Sequence, residues 1–148
     1  MAKERPSLVT LKLFILVCLL VLFPYQSSQA LVKSEEEFVA KTIFARAVEQ
    51  GINPIPLIKI AYCESRLTVS AKNVNKNKSI DISVFQVNSL HRPTALKLGL
   101  DISNYSDNID YALVLYKRNG TQDWLASAKC WRNLDSMKIY PLLALNSP

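Results

Sequence analysis

An apolar stretch from Leu8 to Phe23, broken only by Thr10 and Lys12 and closed by Pro24, decides how much of this chain is left to fold. Lys3 and Arg5 precede it, and its uninterrupted part, Leu13 to Phe23, is 11 residues long. That is short for a bilayer span but fits the core of a signal peptide. Ser28-Gln29-Ala30 then places small residues where a signal peptidase reads, so cleavage is expected after Ala30. The competing expectation is an uncleaved membrane anchor that uses Leu8 to Phe23, with Lys12 snorkelling to the surface. On either reading the fold is built from the rest of the chain, as one small domain over 31–132 and a C-terminal tail over 133–148.

The same boundary bears on the cysteines. Of three, Cys18 falls in the leader, while Cys63 and Cys130 stay in the mature chain. An even pair in an exported chain is expected to form a disulfide rather than to supply a thiol nucleophile partnered by His91. One histidine and two cysteines 67 positions apart give no metal-ligand spacing, so no metal site is expected. Loss of Lys3, Arg5, Lys12 and Glu4 leaves 15 Lys+Arg against 11 Asp+Glu, lowering the balance from +6 to +4. That charge favours an anionic wall or membrane surface. No basic run interleaves with aromatic residues, which argues against nucleic acid as a partner. At 148 residues and 49% apolar composition, the chain is neither disordered nor long enough for a second, cofactor-binding domain.

Hydrophobic spacing predicts a mostly helical α+β fold. Ser34 with Glu37 reads as a capping box for a first helix whose apolar face is Ala40, Ile43, Phe44, Ala47 and Val48, ending at Gly51. Pro56 suits the first turn of a second helix that runs through Leu57, Ile58, Ile60 and Ala61 towards Glu64. The polar stretch Thr68 to Ser79 reads as a loop or small hairpin, and Ile80 to Asn88 as a short strand. A short helix is expected over Thr94 to Leu98, stopping at Gly99. A longer one, capped by Asp107 or Asn108 and ending near Gly120, presents Ile109, Ala112, Leu113, Leu115 and Tyr116. A last short helix carries Trp124, Leu125 and Ala128 to Cys130 and Trp131, and the rest reads as a loosely attached tail.

The segment that points to chemistry joins Glu64 to Asn88. Glu64 comes after the apolar run Ile58 to Tyr62, where burial disfavours its charged form and raises its pKa, the state a general acid needs. Asp81, beyond a polar loop, is expected to stay hydrated and ionised. Two carboxylates in contrasting surroundings are what glycosidic cleavage uses, one to protonate the leaving oxygen and one to stabilise or capture the oxocarbenium ion. The bland alternative makes Glu64 a helix-end surface charge and Asp81 a turn residue; residue types alone leave both open.

Glu64-Ser65, with Asp81-Ile82-Ser83-Val84-Phe85-Gln86-Val87-Asn88-Ser89 after it, resembles the lysozyme-like superfamily, both its soluble lytic transglycosylase branch and the C-type lysozymes. The 17-residue separation of Glu64 and Asp81 is similar to the lysozyme spacing. Ala71-Lys72-Asn73-Val74-Asn75 resembles the Ala-x-Asn-x-Asn run of these enzymes, and Asn108-Ile109, Gly120 and Trp124 resemble transglycosylase positions. The likeness covers Ser34 to Trp131, most of the mature chain.

The resemblance implies a lysozyme-like fold with a small β element beside a helical core. It implies an exported, monomeric enzyme, secreted or in the cell envelope or periplasm, that cuts the β-1,4 bond between N-acetylmuramic acid and N-acetylglucosamine in peptidoglycan. No cofactor is implied. Glu64 would be the general acid, Ser65 would orient it, and Gln86 and Asn88 would hold the 2-acetamido sugar. Asp81 would be either catalytic or a hairpin residue, and Phe85 would pack. A Cys63–Cys130 bond would brace the last segment against the helix of Glu64. Two positions depart from the family pattern. Ser83 stands where a glycine is usual, and Ala126-Ser127-Ala128-Lys129 replaces a Tyr-Asn-x-Gly motif whose tyrosine faces the glutamate, leaving Ser127 or Trp131 to fill that space. A serine at 83 is expected to fit only with ordinary backbone angles. These departures keep a second class open, a catalytically weak glycan-binding domain, and an uncleaved leader would suit a third, a membrane-tethered structural piece of a secretion or pilus apparatus.

Overall fold

The computed structural model describes residues 30–144, so the expected leader before Ala30 lies outside the described residues. The chain divides into Met1–Ser34 and Glu35–Pro148, and the second unit holds every element discussed below apart from the first few residues of the first helix. The architecture is mostly helical with one small antiparallel sheet, the α+β class that the hydrophobic spacing predicts. Among the described residues, no helix is long and apolar enough to cross a membrane.

Residues 30–49 are helical (α1), so Ser34 is not a helix cap: its hydroxyl donates to the Leu31 carbonyl at 2.7 Å, one turn back. Val39, Ala40, Ile43 and Ala47 form the buried stripe, whereas Phe44 and Val48 face solvent. The expected face is therefore right on one side and one step too wide on the other. The second helix, α2 (Pro54–Ser65), begins two residues earlier than Pro56 because Asn53 caps it, its side chain accepting from the Ile55 N–H at 3.1 Å. Leu57, Ile58, Ile60 and Ala61 are wholly buried. Arg66, in the left-handed conformation, ends the helix and sends its own N–H back to Ala61 and Tyr62.

The polar stretch is a hairpin. Strand β1 (Lys72–Val74) pairs antiparallel with β2 (Ile80–Ile82), which pairs with β3 (Val87–Asn88). The single strand expected over Ile80 to Asn88 is thus two strands around a tight turn at 83–86, since both Ser83 and Gln86 have positive φ (61° and 48°) and an extended run cannot continue through them. Helix α3 (Arg92–Leu96) sits two residues before its expected place, and Gly99, with φ at 75°, closes the segment. Helix α4 (Tyr105–Asn119) is capped by Asn104, not by Asp107 or Asn108. Asp107 lies in the first turn, and Asn108 is buried inside the helix, where its amide serves the core.

A 3₁₀ segment (Gln122–Ser127) and helix α5 (Ala128–Asn133) come next, both packed on α2. Cys130 of α5 is bonded to Cys63 of α2, with the Cα atoms 6.0 Å apart. The remainder is not a loose tail within the described residues. Ser136–Lys138 and α6 (Tyr140–Leu143) return the chain to the core, where Ile139 is fully buried and Leu142 nearly so. The single apolar core thus draws on α1, α2, the 82–87 turn, α4, Trp124 and α6.

Candidate active site

The end of α2, the sheet and the 3₁₀ segment surround a cleft of about 600 Å³, open mouth included. Glu64, Asp81, Gln86, Asn88, His91, Asp123 and Trp124 line it, with Val87, Leu115 and Ala126 supplying apolar wall. Glu64 reaches it because an almost wholly apolar helix ends one residue later, leaving its carboxyl half-buried at the rim. Burial is the main cause that pushes its pKa up; a hydrogen bond from Ser127 opposes this, and the nearby Asp81 charge adds to the rise. The Ser127 hydroxyl donates to Glu64 Oε1 at 2.5 Å and also lies 3.2 Å from the Trp124 carbonyl. Ser127 is thus the residue that faces the glutamate, while Trp131 sends its indole N–H to the Trp124 carbonyl at 3.0 Å.

The other expected site residues have structural duties that sequence reasoning does not foresee. The Ser65 hydroxyl does not touch Glu64; it donates to the Val84 carbonyl at 2.7 Å and lies 3.3 Å from that of Ala61, tying the helix end to the 83–86 turn. Asp81 lines the cleft as the hub of an amide cluster. It accepts from Asn88 at 2.6 Å on one oxygen, and from Asn75 at 3.0 Å and Asn73 at 3.3 Å on the other. Asn88 also donates to the Ser79 hydroxyl at 2.9 Å and accepts from the Leu90 N–H at 3.1 Å, so both ends of its amide are engaged. The Gln86 amide nitrogen is committed to the carbonyls of Ser83 (2.8 Å) and Ala71 (3.3 Å), so this cleft residue also ties down the turn that carries it.

Ser83 takes the left-handed angle that a glycine would provide, although it has a side chain. It is nearly completely buried, and its hydroxyl donates to the Val69 carbonyl at 2.9 Å while its N–H donates to Ala71 at 2.7 Å. The expectation that serine fits there only with ordinary angles is thus corrected: the hydroxyl's bond offsets part of the strain. Phe85 is fully buried as packing, but in the turn rather than on a strand. Its ring centroid lies 5.8 Å from that of Trp124, whose indole N–H donates to the Phe85 carbonyl at 3.1 Å. Asn108, wholly buried, accepts from the Phe85 N–H at 3.1 Å and donates to Ile82 (3.0 Å) and Ile102 (3.1 Å), fixing the turn from beneath.

Two cleft residues escape the sequence reading. His91 enters it only as a partner for Cys63, a role the disulfide removes; its Nδ1 stands 3.2 Å from the hydroxyl of the buried Tyr111. Asp123 lines the opposite wall, its carboxylate accepting from Asn119 at 3.0 Å. Its only sequence signal is its position beside Trp124. Comparison with models of known protein families and with curated proteins finds no match for the chain.

Proposed function

We propose that the protein is an exported muramidase of the lytic transglycosylase type, cleaving the β-1,4 bond between N-acetylmuramic acid and N-acetylglucosamine in peptidoglycan. The observation that carries this reading is a half-buried glutamic acid at a cleft, with its carboxyl held by one hydroxyl and its pKa raised chiefly by burial. Such a group keeps its proton to higher pH than an exposed glutamate does, and delivers it when a glycosidic oxygen is seated against it. Protonation of that oxygen by Glu64 accompanies breakage of the bond to C1 of the muramic acid, leaving oxocarbenium character on the ring. The Glu64 carboxylate then takes the proton of the 6-hydroxyl as that oxygen attacks C1, giving a 1,6-anhydro end and restoring the acid.

Asp81, a carboxylate accepting from three amides beside the cleft, is suited to shaping it and to adding negative field near C1 as the oxocarbenium character develops. The weak-binder alternative draws its support from Asn88, whose amide is engaged within the protein at both ends. Mass spectrometry of the material released from purified cell walls decides among these. Anhydro ends support the transglycosylase, reducing ends mean a hydrolase, and no release leaves a glycan binder. In a zymogram run beside it, Glu64→Gln should lose clearing; equal clearing by both proteins would remove the catalytic assignment.

A further inference from the structure

Most side-chain N–H groups around the cleft are already spent within the protein. Four of its lining residues carry such groups: Gln86, Asn88, His91 and Trp124. The Gln86 amide gives its two hydrogens to the Ser83 and Ala71 carbonyls, and the Asn88 amide gives its own to Asp81 and Ser79. The Trp124 indole donates to the Phe85 carbonyl. His91 differs. It is half-buried, and among the described residues its ring meets a hydrogen-bond partner at Nδ1 alone, the Tyr111 hydroxyl 3.2 Å away.

Tyr111 decides which ring nitrogen carries the hydrogen. Only 1% of the residue is exposed, and among the described residues its hydroxyl has no other hydrogen-bond partner. Burial pushes the phenol's pKa up, with Arg118 opposing and Asp123 adding to the rise, so the hydroxyl keeps its proton. A buried O–H is placed on an acceptor, and Nδ1 is the one in reach. With Nδ1 accepting, a neutral imidazole has its hydrogen on Nε2, at the other edge of the ring. Edge-to-face contact, with centroids 5.7 Å apart and planes at 64°, holds the ring in that setting. The cleft wall thus keeps one uncommitted side-chain N–H, and its tautomer is set from the core.

We infer that His91, through its Nε2–H, reads the acetamido carbonyl of an N-acetylated sugar in the cleft, with Tyr111 as the positioning residue that sets its tautomer. The identity of the ligand rests on the muramidase reading; the free donor rests on the cleft itself. His91 thereby takes the role that the resemblance gives to Gln86 and Asn88, whose amide hydrogens are engaged elsewhere. The charged side chains that line the cleft are Glu64, Asp81 and Asp123, with no Lys or Arg, which suits a neutral acceptor and not an anion. An amide carbonyl accepts without donating, and so matches an N–H that cannot accept. Val87, Leu115 and Ala126 supply apolar wall for the acetyl methyl group.

The test uses the full exported protein without a histidine tag, carrying Glu64→Gln so that the readout is binding and not turnover. Two soluble probes are titrated into it: a β-1,4-linked oligomer of N-acetylglucosamine, and a β-1,4-linked glucose oligomer that has a hydroxyl in place of each acetamido group. The chain has a single histidine, so the imidazole nitrogen resonances of the labelled protein belong to His91. At the alkaline plateau of its titration the ring should carry its hydrogen on Nε2, and that resonance should move with the acetylated oligomer and not with the glucose one. His91→Ala should weaken binding of the acetylated oligomer about tenfold and leave the glucose oligomer unchanged. His91→Gln, which returns an N–H near the Nε2 position, should keep most of the affinity, and Tyr111→Phe should fall between the two. Unchanged thermal midpoints confirm that the His91 variants fold. A ring protonated at Nδ1, equal binding of the two oligomers, or equal loss of both in His91→Ala overturns the inference. A wild-type protein that leaves walls uncut while His91 still distinguishes the oligomers would sink the muramidase reading and leave this one standing.

Discussion

Glu64 is pulled two ways, by burial that favours its protonated form and by Ser127, whose hydrogen bond favours the carboxylate. Removing that hydroxyl with Ser127→Ala should raise the glutamate's pKa further; on the muramidase reading this moves the alkaline limb of the rate profile to higher pH, as a pH series of wall-lysis rates will report. Replacing the acid itself by Glu64→Gln should lower the rate by about 10²- to 10⁴-fold. It should also stabilise the protein at neutral pH. A carboxyl whose folded-state pKa is raised contributes its stability below the unfolded pKa and loses it as pH rises through the folded value. Thermal unfolding should therefore show the Gln variant melting higher than wild type at pH 7, with the gap closing on acidification to about pH 4. Ser83 offers a third reading at this scale. Ser83→Gly relieves a left-handed strain of about 1–2 kcal/mol and forfeits a hydroxyl bond of about 1 kcal/mol, so its stability should stay within about 1 kcal/mol of wild type. Ser83→Val keeps the strain and loses the bond, and denaturant titration should place it clearly lower.

Among the elements, α4 supports the site from the core, because Asn108 holds the 82–85 turn by two hydrogen bonds and the Ile102 carbonyl by a third. Asn108→Ala leaves two carbonyls and one N–H without their partner and should cost about 3 kcal/mol in a urea titration. The element boundaries also show what the sequence can and cannot disclose. Leu57, Ile58, Ile60 and Ala61 carry a buried helix legibly, and the alternating Asn and Lys of 73–78 carry a turn. The caps are harder to read because several residues near each helix start have the right chemistry, and only the backbone path selects Asn53 over the turn before Pro56, or Asn104 over Asp107. The break of the strand at Ser83 and Gln86 is illegible for a similar reason: neither residue type advertises a positive φ. At the site, Glu64 is legible from burial, whereas the commitments of Ser65, Asn88 and Gln86 are not, since an amide or hydroxyl in sequence does not reveal whether its partner is a ligand or the protein's own backbone.

Over the whole molecule, two cross-links side by side tie α2 to two consecutive elements: Cys63 to Cys130 of α5, and Glu64 to Ser127 at the end of the 3₁₀ segment. The disulfide closes a 67-residue loop and should contribute about 4 kcal/mol on the chain-entropy model. With the covalent tie cut, α5 depends on packing alone to keep Ser127 against the acid. Mild reduction should therefore lower the wall-lysis rate at reductant concentrations and temperatures where circular dichroism still reports a folded helix content. A rate that falls only with the global transition would show that the disulfide stabilises the fold without bracing the cleft.

The pairing of Glu64 with Ser127 also sets an order in time. The acid lies in the first half of the chain and the hydroxyl that holds it is 63 residues later, so a ribosome has made the helix, the sheet and the cleft floor well before it makes the last piece. A nascent or truncated chain that stops short of Ser127 carries the proton donor without its holder. On the muramidase reading, the glutamate takes up its working pKa only once the segment that carries Ser127 is in place.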